Sequence, residues 1–121
     1  MSGISIGTNI RAALLGSEAV TAITSDAYPV ARDTARLPYI VYTLTGLDES
    51  KYKEGHYDIV TVDLDCYGVD YDSAIALAEA ARDAVEGTGH HGMRSCYLSN
   101  MRTGATGDAY YVTLTLTIKI A

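Results

Sequence analysis

Residues 112–120 read Val-Thr-Leu-Thr-Leu-Thr-Ile-Lys-Ile, an unbroken alternation of apolar and polar side chains. A strand turns successive side chains to opposite faces, so this run buries one face and leaves a row of Thr and Lys on the other. Residues 59–67 repeat the pattern, with Val60, Val62, Leu64 and Cys66 on one side and Thr61, Asp63 and Asp65 on the other. Two such strands commit the chain to a sheet with one dry face and one polar face. A helical layer is then needed over the dry one.

The sequence supplies that layer. Residues 72–86 carry Ala74, Leu77, Ala78, Ala81, Ala84 and Val85 on one helical face and Glu79, Arg82, Asp83 and Glu86 on the other. Asp70 or Asp72 is placed to cap this helix and Gly87 to end it. A leading helix over 4–15 aligns Ile6, Ile10, Ala13 and Leu14, with Gly16 read as a C′ glycine at positive φ. Ser17 caps a short second turn over 18–23. Further strands are predicted at 39–45, just after Pro38, and over about 93–101, with an edge strand around Tyr28-Pro29-Val30. A Gly-containing turn is expected between Gly104 and Asp108. The polar segment 47–57 (LDESKYKEGHY) exceeds a tight hairpin loop and reads as a protruding arm or a twisted ribbon tip. With 121 residues, no repeat and no linker, the expectation is one domain over 1–121. Its fold class is α+β: a single, mostly antiparallel sheet of four to five strands with two helices packed on one face.

Charge narrows the partners. The formal charge is −6, and the acidity is concentrated: residues 47–87 carry net −8, residues 88–121 net +2, and residues 1–46 are neutral. Such a balance lacks the basic footprint that grips nucleic acid. The N-terminal stretch has no basic region ahead of an apolar run, so no secretory signal is read there, and the cytosol is the default compartment. No apolar stretch reaches the ~20 residues that span a bilayer.

The candidate chemistry is sparse. Gly87-Thr88-Gly89-His90-His91-Gly92 matches a dinucleotide-binding pattern by letter, but it follows a helix and precedes a strand, the reverse of what phosphate binding needs. Asp63 and Asp65 share a strand face and could hold a cation, although a solvated strand face accounts for them more simply. Cys66 and Cys96 read as free thiols because a reducing cytosol disfavours a disulfide, and a zinc site would need two more ligands, for which only His90 and His91 are near in sequence. Neither a nucleophile elbow nor a triad accompanies them. More informative are the aromatics: ten Tyr with no Phe and no Trp. A tyrosine combines contact area with a polar tip, which suits a surface wet in one state and buried in another.

The order of these segments resembles the tail-completion or tail-terminator proteins of long-tailed bacteriophages. The resemblance is carried by a leading helix ending L-L-G, then A-V-T-A-I, A-Y-P-V-A, L-P-Y-I-V-Y and V-D-L-D-C-Y-G. After these come Y-D-S-A-I-A-L-A-E-A-A-R-D-A-V-E-G and a closing alternating strand. It implies a small virion subunit, from a phage, a prophage or a gene-transfer particle, assembled in the host cytoplasm. Such subunits form a ring, usually of six, at the head-proximal end of the tail tube, where it stops tube polymerisation and meets the head connector. The implied partners are further copies of the chain, the tail tube protein and the head-completion protein. No membrane is involved, and DNA passes only as cargo. The family has no catalytic motif, so no catalytic, cofactor or metal residue carries over and no cofactor is expected. On this reading Tyr52, Lys53 and Tyr57 of the arm serve subunit or tail contacts, and Asp63 and Asp65 line the DNA passage. The rival readings are a small metal-dependent enzyme built on Asp63, Asp65 and His90 or His91, and a ligand-binding domain with a tyrosine-lined groove.

Overall fold

The computed structural model describes residues 6–24, 27–29, 37–52, 55–88, 93–107 and 109–120; residues 48–52, 55–57 and 88 are described by backbone alone. The elements are α1 (Ile6–Leu15), α2 (Glu18–Thr21), β1 (Ala27–Tyr28), β2 (Tyr39–Tyr52), β3 (Gly55–Gly68), α3 (Tyr71–Val85), β4 (Gly87–Thr88), β5 (Ser95–Thr106) and β6 (Ala109–Ile120). They form one sheet in the order β1-β2-β3-β6-β5-β4. Four long antiparallel strands make its body, and two-residue strands flank it, β1 parallel to β2 and β4 antiparallel to β5. This is the expected α+β architecture.

Alternation sets the register. Val60, Val62, Leu64 and Cys66 of β3 lie opposite Ile118, Leu116, Leu114 and Val112 of β6, and all eight are buried. Ile6, Ile10 and Leu14 of α1 and Leu77, Ala81 and Val85 of α3 complete the same core. Ala74, Ala78, Ala80 and Ala81 are also buried, so α3 lies close on β3 and β6. Asp70 is its N-cap, accepting from the Ser73 N–H at 2.7 Å, and Gly87 leaves the helix at φ 137°. Cys66 and Cys96 are free, buried thiols. They lie opposite Val112 and Ile118 of β6, six positions apart, or roughly 20 Å along the strand, beyond disulfide reach.

Three local expectations change, and one open alternative is decided. Gly16 keeps a helical turn, its N–H donating to the Ala12 carbonyl at 2.9 Å, and is not among the positive-φ glycines. The segment 47–57, expected as a protruding arm or a twisted ribbon tip, is the ribbon. β2 and β3 stay paired to Tyr52↔Gly55, and residues 53 and 54 lie outside the described residues. The β3–β6 ladder stops at Asp58↔Ile120, which leaves the ribbon two-stranded beyond it. Gly104 lies inside β5, and the turn falls at Gly107, φ 54°. Of the loop expected at 87–92, Gly87 and Thr88 form β4; residues 89–92, with His90 and His91, lie outside the described residues.

Candidate functional site

The helix-free face of the sheet is polar in its middle and aromatic at one end. Asp63 and Asp65 stand on β3 opposite Thr115 and Thr113 of β6. The Thr113 hydroxyl donates to Asp65 Oδ1 at 2.5 Å, and the Thr115 hydroxyl donates to Asp63 Oδ1 at 2.8 Å. Thr113 is only 1% exposed, so its hydroxyl depends on that carboxylate. Arg102 of β5 approaches Asp63 at 3.9 Å, and its exposure makes this a weak attraction. Among the described residues no three His, Cys, Asp or Glu side chains gather to hold a metal.

The tyrosines form a row that the sequence alone does not reveal. Tyr28, Tyr39, Tyr67 and Tyr111 stand on β1, β2, β3 and β6, with successive ring centroids 6.3, 4.8 and 5.9 Å apart. On β5 the position opposite Tyr111 is Gly104, and the Tyr111 ring occupies the space a side chain there would need. Cross-strand aromatic pairs of this kind hold neighbouring strands in register. Burial, and then the nearby Asp65 carboxylate, push the Tyr67 phenol above its ordinary value of 10.0, so it stays neutral. A Tyr-Tyr match in adjacent predicted strands is the available signal, but it needs the register to become visible.

Both lateral margins of the sheet are partly open. β1 pairs only with Ile40 and Val41, so among the described residues β2 has no outer neighbour from Tyr42 onward. β4 pairs only with Ser95 and Cys96 of β5. Just beyond, Glu86 accepts the Leu98 N–H at 2.9 Å while its other oxygen holds Arg82 at 3.0 Å. Past that clamp, among the described residues, the outer side of β5 has no strand beside it. Each open strand carries a bulge, at Thr45 between Leu44 and Gly46 and at Ser99 between Leu98 and Asn100. The two hydroxyls donate to Thr61 and Thr115 carbonyls at 3.2 and 3.0 Å. Bulges bend a strand and increase its twist.

The Glu86 clamp has a pH signature. The Leu98 N–H first, and then Arg82, hold the Glu86 carboxyl below its ordinary 4.5. A lowered folded value means that its stabilisation is present above 4.5 and is lost as pH falls through the folded value. Glu86→Gln is therefore expected to cost about 1 kcal/mol at pH 7. In urea titrations against pH, that difference from wild type should shrink below pH 4.5; a difference independent of pH would contradict the clamp.

Of the sequence-predicted residues, Asp63 and Asp65 are together on the open face. Tyr52 and Tyr57 lie on the ribbon backbone of β2 and β3, and Lys53 lies outside the described residues. The profile of a family described as tail completion protein gp17 matches residues 8–120. No curated protein matches the chain. Among solved structures, a chain from the virion of a native gene transfer agent (GTA) particle superimposes with a TM-score of 0.71 at 16% identity. The superposition covers 92% of this chain and 90% of that one, a likeness of fold.

Proposed function

The chain belongs to the tail completion protein gp17 family, and from that premise we propose that it is a virion tail component of a phage or gene transfer agent particle and closes the head-proximal end of the tail tube as a ring of six copies. In this role it stops tube growth and presents a surface to the head connector; it performs no catalytic step. The observation that carries the reading is the match over residues 8–120 to a family of tail components. On the open face Asp65 and Asp63 accept hydrogen bonds from the Thr113 and Thr115 hydroxyls, a structural use of both carboxylates. The test is electron microscopy of the protein mixed with purified tail tubes. Rings on one end only are expected, and bare or doubly capped tubes would contradict the proposal.

Two variants probe the parts. Among the described residues no third strand runs beside the ribbon beyond Asp58, which in this reading leaves it to contacts outside the sheet. Replacing Tyr52, Lys53 and Tyr57 together by Ala should leave the circular dichroism spectrum unchanged and abolish capped tails; normal capping would remove the ribbon from assembly. Asp63 and Asp65 face the DNA passage in this reading and keep the duplex sliding by repulsion. D63N/D65N keeps acceptor oxygens for Thr115 and Thr113 while removing the charge, and D63K/D65K reverses it. DNA ejection should slow in the order wild type, Asn, Lys, and equal rates would place the pair elsewhere.

A further inference from the structure

Resting on the ring reading above, we infer that neighbouring copies join head-to-tail through strand edges, the open outer side of β5 in one subunit adding antiparallel to the open outer side of β2 in the next. Strand direction is the first support. β2, β3, β6 and β5 alternate up and down, so β2 and β5 run oppositely. A copy in the same orientation placed beside β5 presents a β2 that continues the alternation without a break. The joint satisfies backbone groups that an open edge otherwise leaves to water or to aggregation.

Apolar side chains stand exposed at both margins. On the helix side, Leu47 is 43% exposed on β2 and Met101 is 51% exposed on β5. Both stand in rows that belong to the core, opposite Val60 and Leu114, so the joint extends the dry layer across the boundary.

The caps on the edges supply the geometry. Among the described residues, β1 blocks β2 at Ile40 and Val41 and leaves Tyr42–Leu47 open, while β4 and Glu86 block β5 through Leu98 and leave Asn100–Thr106. Traced through the registers, the middle of the first segment sits level with Val62 and that of the second with Cys66. The next copy is therefore displaced by about four residues, ~14 Å along the strands, for a four-strand step of ~19 Å across them. That slope is a strand tilt of roughly 35°, the value at which sheets close on themselves. Equivalent subunits at one height thus form a closed ring of tilted strands, a heterologous contact that returns to its start.

The experiment blocks one margin at a time in the full chain. T43E/L47E alters exposed positions of β2 and M101E/T103E exposed positions of β5, with L47E and M101E alone as substitutes where a double variant loses its circular dichroism spectrum. Wild type, each variant and their 1:1 mixture are incubated with tail tubes, and separately cross-linked and sized by mass. The wild type is expected to form rings. Each variant alone is expected to lose them at least tenfold, and the mixture, which retains one intact joint, is expected to give dimers and no rings. Rings from both variants at wild-type yield would overturn the edge joint and leave the ring reading standing. Dimers from either variant alone would replace the head-to-tail joint by a two-fold one. A wild type that forms no ring on tubes would overturn the ring reading itself.

Discussion

Leu64→Ala is expected to lower the stability of the subunit by about 2–5 kcal/mol. Leu64 is fully buried at the middle of β3, with Tyr42 of β2 on one side and Leu114 of β6 on the other. α3 packs across β3 and β6, so the deleted methyl groups leave a cavity walled by three strands and a helix that cannot collapse together. A domain of this size has a total stability of ~5–15 kcal/mol, and the melting temperature should fall by roughly 10–20 °C. Leu64→Met preserves volume and should cost less than about 1.5 kcal/mol. Guanidinium titration of the three proteins checks the ordering. A loss below ~1 kcal/mol for the alanine variant would mean the sheet–helix layer repacks around the gap.

Gly68→Ala should destabilise by about 1–3 kcal/mol through the opposite mechanism, overpacking. A Cβ at Gly68 would lie 2.6 Å from the Ala74 backbone nitrogen and 2.9 Å from the Ser73 Cβ. Neither neighbour can give way alone. The Ala74 N–H is bonded to the Asp70 carbonyl at 3.1 Å and the Ser73 N–H to the Asp70 carboxylate, so the first turn of α3 moves as one unit or not at all. Backing α3 away from β3 would open the core along its alanine face. Gly46→Ala is the control, since its nearest foreign atom is the Thr61 hydroxyl at 4.0 Å and the substitution should be close to neutral. Thermal melts of the two variants decide the matter, and equal melting temperatures would show that the end of β3 is looser than its contacts imply.

The helix α3, the strands around Asp63 and Thr115, and the polar face between them are legible in the sequence because their periodicities are local. The role of 47–57 is half legible. Its polarity marks it as solvent-directed, but polar residues on both faces of a ribbon carry no alternation, so strand and loop look alike. Gly104 reads as a turn residue because glycine is permissive in turns; its place in β5 follows from Tyr111 lying over it, a contact between residues on paired strands. The same limit hides the tyrosine row. Composition makes ten hydroxylated rings conspicuous, and only the register brings Tyr28, Tyr39, Tyr67 and Tyr111 onto one line.

Alternation in residues 59–67 and 112–120, together with the alanine-rich face of 72–86, by itself determined a one-sided sheet under helices. Each of those signals depends on side chains a few positions apart, where chain geometry leaves no choice. Tertiary structure alone decided the strand order, the bulges at Thr45 and Ser99, the threonine hydroxyls on Asp63 and Asp65, and, among the described residues, the two open margins. Those features depend on which distant segments come to lie side by side, a choice made by burial summed over the whole core and written in no single stretch of the chain.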